Sequence, residues 1–337
     1  MPRKTRIATV CQNYDFGPDR KANIKRIMAL TDQAGCQQPD IICLPEAFAT
    51  VAVDAGLEEK AEAVPGPTVE AFAGKACEYN TNIICPLLTA REGRFYNSAV
   101  VIDRTGEIVG IYDKVQPVTN TSDFTEVERG IVPGREAQVF DLDCGRIGIQ
   151  ICFDIGFPNT WEQLAQQGAE AVFWPSAYDG GFPLQAHAYT NDYYVASSVR
   201  SVRPRIINPL GEIIAQGGRR QQVITATVDL DYLVCHCDYH WGMDKELIKK
   251  YGTDVTITMM DEEGKFLVYS NREDLPMQKL AEEFGLESRR DYHARHAAAY
   301  TALREGQKPE AQRTPYLGRE AYTPMSLEEW QQLKSRP

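Results

Sequence analysis

Short segments rich in valine and isoleucine recur through the first 230 residues, and the spacing between them is what most constrains the fold. RIATVCQ (6–12), IICLPE (41–46), NIICPLLTA (82–90), SAVVID (98–103), EIVGIYDK (107–114), AQVFDL (137–142), RIGIQICFD (146–154), AVFWPSA (171–177), RIINP (205–209) and VITATVDL (223–230) all read as strands. Helical patterns lie between some of them. Ala22, Ile24, Ile27, Met28 and Leu30 form an apolar stripe, with Asp19 placed to cap it. PGPTVEAFAGKACEYN takes Thr68 as its cap and buries Val69, Phe72, Ala73 and Ala76. NTWEQLAQQGAE opens at Asn159 and closes at Gly168, and a further helix is expected from Leu184 to Ser198. The chain thus alternates strand and helix, passes through hairpins such as VIDRTGEIVG (101–110), and alternates again. That order predicts an α/β protein with two mixed β-sheets face to face and helices outside.

The character changes near Asp231. CHCDYHWGMDK is followed by a hairpin pattern, TITMMDEEGKFLVYS (256–270), and then by charged helical stretches ending in SLEEWQQLK, where Ser326 and Glu329 form a capping-box pattern. The expected division is a main domain over 1–270 and a C-terminal helical extension over 271–337. That extension either wraps the core or a neighbouring subunit, or lies on the surface as a tail.

Lysine and arginine number 36 against 47 acidic residues, a formal charge of −11. This balance speaks against nucleic-acid partners, which need clustered cations. No apolar run approaches the roughly 20 residues of a membrane span, and MPRKTRIATVCQ lacks the apolar stretch and cleavage site of a signal peptide. No membrane association and a cytoplasmic location are therefore expected. The nine cysteines are irregularly spaced, which is not a disulfide framework. Most should be reduced and buried, so a reactive one must be recognised from its context.

Three segments supply such a context, each with a reactive side chain at the C-terminal end of a strand: Glu46 in IICLPEAF, Lys114 in GIYDKVQP and Cys152 in IQICFD. Loops at that edge of an α/β sheet gather ligands. Brought together, the carboxylate takes the thiol proton, the thiolate attacks a carbonyl or nitrile carbon, and the ammonium stabilises the oxyanion. The backbone N–H of Phe153 is a second candidate donor to that oxyanion.

The order CLPEAF, YDKVQP and GRIGIQICFDIGFP resembles the nitrilase superfamily of carbon–nitrogen hydrolases, in its amidase and carbamoylase branch, over roughly residues 5–235. The resemblance implies an α-β-β-α sandwich, a Glu46–Lys114–Cys152 triad, no metal or organic cofactor, and association into a homodimer or larger homo-oligomer. It also implies a second glutamate before the Pro-Gly pair at 133–134. In FTEVERGIVPG, Glu126 takes the first glutamate position, 12 residues after Lys114, and the segment NTSDF reads as an insertion in that loop. By motif position Ser176 and Asn191 become pocket candidates, beside Tyr178.

Other features carry two readings. Tyr178, Phe182, Tyr189, Tyr193 and Tyr194 either line a pocket or pack an interface. Arg200, Arg203 and Arg205 either bind a substrate carboxylate or form a salt-bridged surface. CHCDYH has metal-ligand residue types, but Cys235 and Cys237 are too close for ordinary zinc spacing. His187 suits a structural role better than a Cys–His dyad. The expected activity is hydrolysis of a non-peptide C–N bond, an amide or N-carbamoyl group of a small molecule, through a cysteine thioester. The alternatives are a nitrilase, an N-acyltransferase using the same three residues, or a non-catalytic binding or scaffold protein.

Overall fold

The computed structural model describes residues 3–260, 264–316, 318 and 319, so the SLEEWQQLK segment lies outside the described residues. The chain divides into two compact units, one covering Arg3–Leu230 and the other starting, for its described part, at Asp231.

In the first unit, β1 (Lys4–Val10) leads through α1 (Arg20–Gly35) to β2 (Ile41–Cys43). Then α2 (Leu57–Lys60) and α3 (Pro67–Tyr79) precede the meander β3 (Asn82–Arg91), β4 (Arg94–Ile102) and β5 (Ile108–Asp113). The second half repeats the theme. The hairpin β6 (Val139–Leu142) and β7 (Gly145–Ile149) is followed by α4 (Pro158–Gln166), β8 (Ala171–Ser176) and α5 (Phe182–Asn191). β9 (Tyr194–Val199), β10 (Arg205–Ile207), β11 (Ile213–Gln216) and β12 (Val223–Asp229) complete the unit. Two six-stranded sheets result, in the orders β12-β1-β2-β3-β4-β5 and β11-β10-β9-β8-β7-β6. Each has a parallel centre, β1-β2-β3 or β7-β8-β9, flanked by antiparallel strands.

Burial explains the layering. α1 and α3 cover the first sheet with Ile27, Val69, Phe72 and Ala76. α4 and α5 cover the second with Trp161, Leu164, Leu184 and Ala188. The sheets meet through β1 and β9, where the buried Ser198 hydroxyl donates to the Val10 carbonyl at 2.7 Å. The unit is therefore the expected α-β-β-α sandwich. Asp19 caps α1 by accepting from the Ala22 N–H at 2.8 Å. α3 starts one residue before Thr68: Gly66 is its N-cap and Pro67 takes the first helical position, where a missing N–H costs nothing.

Two expectations fail. The helix expected over 184–198 ends at Asn191, because Asp192 adopts a left-handed φ of 57° and breaks the turn. Tyr194–Val199 is instead a fully buried central strand, paired with β8 and β10. The boundary expected at 270 falls at Leu230. The hairpin β14 (Val255–Met260) and β15 (Lys265–Ser270) pairs with β13 (Tyr232–His236) in a separate three-stranded sheet. With α6 (Met243–Tyr251), α7 (Met277–Phe284) and α8 (Arg289–Arg304), these strands form a second unit with its own core of Cys235, Leu247, Phe266, Val268 and Leu280. It is a mixed α/β unit that joins the hairpin to the helices expected after residue 270. No helix among the described residues is long and apolar enough to cross a membrane.

Candidate active site

The meander explains how residues 68 positions apart meet. β3 runs parallel to β2, and two reversals through β4 make β5 run the same way. The ends of β2 and β5 therefore emerge at one edge, carrying Glu46 and Lys114. The Lys114 ammonium donates to Glu46 Oε1 at 3.1 Å, and the two residues are 2 % and 3 % exposed. The backbone supports this placement. The Lys114 N–H donates to the Asn97 carbonyl, and its own carbonyl accepts from the Gly134 N–H, both at 2.8 Å. Only glycine fits at 134, since a Cβ there would lie 2.1 Å from the Asp113 carbonyl oxygen.

Cys152 follows β7 at the head of a 3-10 turn, Cys152–Gly156. Its φ of 48° is left-handed, an unusual conformation for a side chain with a Cβ and one that concentrates at functional sites. Indole N–H groups hold this turn from two sides. Trp174 donates to the Cys152 carbonyl and Trp161 to the Asp154 carbonyl, each at 3.0 Å. Cys152 lines a cavity of about 460 Å³ together with Glu46, Lys114, Asn97, Glu128, Arg129, Lys60, Ala177 and Arg200.

The electrostatics follow from burial. Desolvation raises the Glu46 carboxyl, but Lys114, Arg200 and the Asn97 amide outweigh it, and the group lies below the usual range. Desolvation pushes the Cys152 thiol up and the Glu46 charge adds to this. Lys114 and hydrogen bonds from Ala177 and Ser176 oppose them, leaving the thiol at about 12. Burial disfavours the Lys114 charge, yet Glu46, Cys152 and Glu128 more than restore it, so the amine is held firmly as ammonium. Before substrate enters, the stable arrangement is therefore thiol, carboxylate and ammonium.

The second carboxylate on Lys114 is Glu128, not Glu126. Glu126 is exposed and accepts from the Asn120 amide at 2.9 Å. The reason is the inserted segment: Thr119 and Val127 form a bridge that closes residues 120–126 into a protruding loop. Glu128 then lies beside Val118, whose carbonyl accepts from its N–H at 2.8 Å and whose N–H donates to Glu128 Oε1 at 3.1 Å.

Asn97 and Arg200 were not singled out as partners of the triad from sequence. The Asn97 amide donates to Glu46 Oε1 at 2.9 Å and to Glu128 Oε2 at 3.1 Å. A buried polar residue at the head of the apolar run SAVVID was the available signal. Arg200 meets Glu46 Oε2 at 3.4 Å, whereas Arg205 bonds Gln216 at 2.9 Å in β10, so the arginines do not act as a cluster.

The remaining candidates are dispersed. Phe153 lies in the first turn of the 3-10 helix, where opening N–H groups lack intrahelical partners. Ser176 is buried, and its hydroxyl oxygen accepts from the Tyr178 N–H at 3.1 Å while bonding the Cys152 sulfur. Tyr178 packs edge-on against Trp174, and the residue is 41 % exposed. Asn191 is not among the cavity-lining residues. Its amide donates to the His187 carbonyl at 3.0 Å inside α5. His187 stacks on Trp161 with ring centroids 4.0 Å apart and bonds the Ile155 carbonyl at 2.8 Å, a structural setting. Phe182, Tyr189, Tyr193 and Tyr194 do not line the cavity. In the second unit, His236 stacks on Tyr292, and both ring nitrogens of His240 are hydrogen-bonded. Among the described residues no three or more His, Cys, Asp or Glu side chains are placed so that they could hold a metal ion.

Comparison with known proteins gives one family. Residues 6–234 match the carbon-nitrogen hydrolase family. The omega-amidase NIT3 of Saccharomyces cerevisiae is 26% identical over 259 residues, covering 68% of this chain and 88% of that protein. The human omega-amidase NIT2 is 25% identical over 63% of this chain and 84% of its own length. The crystal structure of yeast Nit3, a member of branch 10 of the nitrilase superfamily, aligns with a TM-score of 0.58 at 21% identity, covering 67% of this chain and 90% of that one. An amidase from Nesterenkonia sp. AN1, in a variant with the acetamide moiety of fluoroacetamide covalently added at its active-site cysteine, aligns with a TM-score of 0.57 at 19% identity, covering 67% and 90%. The match over two thirds of the chain identifies it as a member of the carbon–nitrogen hydrolase family.

Proposed function

We propose that this hydrolase cleaves small carboxamides that carry an anionic group at the end remote from the amide, with Cys152 as nucleophile. The observation that carries the reaction is the pair of glutamates on one buried lysine, in the same cavity as a cysteine held at left-handed φ. The Cys152 thiol passes its proton to Glu46 as sulfur attacks the amide carbon, and the carbonyl π electrons move to oxygen. The proton transfer is uphill by itself, with the thiol at about 12 and the carboxylate below its ordinary range. It therefore accompanies attack, as the new oxyanion gains the Lys114 ammonium and the Phe153 N–H. The intermediate collapses, the C–N bond breaks, Glu46 returns the proton to nitrogen, and ammonia leaves. Water, deprotonated by Glu46, then attacks the thioester. The acid departs and sulfur regains its proton. Glu128 and Asn97 hold the lysine and the base in register throughout.

The substrate charge rests on the cavity itself. Lys60, Lys114, Arg129 and Arg200 line it against Glu46 and Glu128, so it is net positive in a chain of formal charge −11. Lys114 and Arg200 are engaged by the glutamates, while the Arg129 guanidinium has no partner among the described residues and is free to pair with an anion. The curated relatives are omega-amidases, which is consistent with this reading. The test compares ammonia release from a dicarboxylic acid monoamide with that from a neutral amide of equal length. The acid should be preferred through KM, and Arg129→Ala should erase the preference. Equal kcat/KM for both would overturn the charge assignment, and no release from any amide would overturn the reaction.

A working homo-oligomer and a cytoplasmic location are part of the same proposal. Exposed Phe153, Phe157 and Phe182 support the first, and the irregular spacing of the nine cysteines, which is no disulfide framework, the second. Sedimentation at the mass of one 37.8 kDa chain would contradict the oligomer.

A further inference from the structure

We propose that Asp154 is a positioning residue, clamping the turn that carries Cys152 to the strand that carries Lys114. The inference rests on the catalytic roles proposed above and assigns a residue outside them. Asp154 is fully buried, and its carboxylate accepts three hydrogen bonds from two segments of chain. Oδ2 accepts from the Ile151 N–H at 2.8 Å, within the cysteine's own turn, and from the Tyr112 hydroxyl at 2.7 Å. Oδ1 accepts from the Gln116 N–H at 2.8 Å. Tyr112 and Gln116 stand two residues before and two after Lys114. One side chain therefore grips the lysine's strand on both sides, and the cysteine's turn on the third.

This arrangement needs an anion. A carboxylate offers acceptor sites on both oxygens, whereas an amide must turn its NH2 toward a backbone N–H that already faces it, and a carboxylic acid keeps the contacts only by reversing the Tyr112 bond. Among the described residues no cation forms an ion pair with Asp154, whose hydrogen-bond partners are Ile151, Tyr112 and Gln116. Burial pushes its carboxyl up to about 6, against the lowering effects of Ile151, Tyr112, Gln116 and the more distant Lys114 charge. The titratable groups facing the turn are the Tyr112 hydroxyl from β5, Lys114 just after that strand, Cys152 from the turn itself, and His187 from α5. His187 bonds the Ile155 carbonyl, and burial lowers its pKa, which favours the neutral ring. A buried charge without an ion-pair partner is costly. Its three bonds converge on the two elements whose separation sets the sulfur-to-ammonium geometry, which is where that cost has a use.

The experiment measures kcat, KM and the pH profile of wild type, Asp154→Asn and Tyr112→Phe on one amide, with thermal unfolding of each protein. Asp154→Asn should lower kcat about 100-fold with KM little changed, the size expected for misplaced reacting groups. It should also remove the acid limb that wild type shows near pH 6. Tyr112→Phe keeps two of the three bonds. It should lower kcat by a smaller factor and move the acid limb upward, because the charged form loses a donor. This second variant carries the test if Asp154→Asn does not fold. Folded variants with wild-type kcat and an unmoved acid limb would overturn the clamp while leaving the cysteine mechanism intact. A wild type that turns over no amide would instead overturn the functional reading.

Discussion

Cys43 and Cys85 lie in the strands β2 and β3, and Cys152 lies on the turn after β7. All three are buried, and burial raises all three thiols. Among the described residues, Cys43 meets no charge that offsets this, and Cys85 meets Glu62, which raises it further. Cys152 faces an ammonium, a hydroxyl and a backbone N–H, lines a cavity and sits at left-handed φ. The contrast teaches that burial alone makes an inert thiol, and that a nucleophile needs donors in place around the sulfur and access for the substrate.

The comparison breaks most readily by substitution. Cys152→Ala should reduce kcat by at least about 10⁴-fold, as loss of a nucleophile does. Cys85→Ala should leave kcat unchanged and cost about 1–2 kcal/mol of stability through the lost packing. Paired kinetics and urea unfolding check both, and the reverse pattern would end the argument.

Lys114→Met is next in size. It removes the oxyanion's cation and leaves Glu46 and Glu128 without their shared counter-charge. The expected loss is about 10²–10³-fold in kcat, with about 3–5 kcal/mol of stability from the broken buried pair. Loss of stability with full activity in the folded fraction would make the lysine structural only.

The two candidate glutamates sharpen the picture further. Glu128→Gln should lower kcat about 10- to 100-fold by loosening the lysine, while Glu126→Gln, at an exposed loop position, should stay within about twofold. Equal effects would contradict the site geometry.

The smallest effect concerns acid stability. Glu46 is held below its ordinary 4.5 in the folded protein, so the unfolded chain binds its proton first as pH falls. Its contribution is present above pH 4.5 and lost as pH drops through the folded value. Thermal unfolding of Glu46→Gln against wild type should show a shallower fall in Tm below pH 4.5. A slope identical to wild type would show that Glu46 gains no net charge stabilisation on folding.

Much of this was legible in the sequence, for a physical reason. Strand ends are marked locally by β-branched runs stopping at Glu46, Lys114 and Cys152, and reactive side chains at such ends reach a common edge. Contacts that depend on a loop's path were not legible. Glu126 and Glu128 are equivalent by composition, and only the bridge between Thr119 and Val127 decides which one meets Lys114. Likewise, YVASSV follows an amphipathic helix without a glycine or proline, so its end was hidden until Asp192 showed a left-handed turn. The second unit was misjudged because a hairpin's partner is a non-local choice. Lys265–Ser270 pairs with Tyr232–His236 on one side and with Val255–Met260 on the other, in a separate three-stranded sheet. Asp154, next to the motif cysteine but one, attracted no attention because its three donors come from positions 112, 116 and 151.

The most direct test of the central claim is peptide mass spectrometry of the Glu46→Gln variant after incubation with a small carboxamide. With the base weakened, hydrolysis of the thioester should lag behind its formation. The account predicts an acyl adduct confined to the peptide containing Cys152 and absent from those containing Cys43 and Cys85. An adduct on another cysteine, or wild-type turnover in the Cys152→Ala protein, would contradict it.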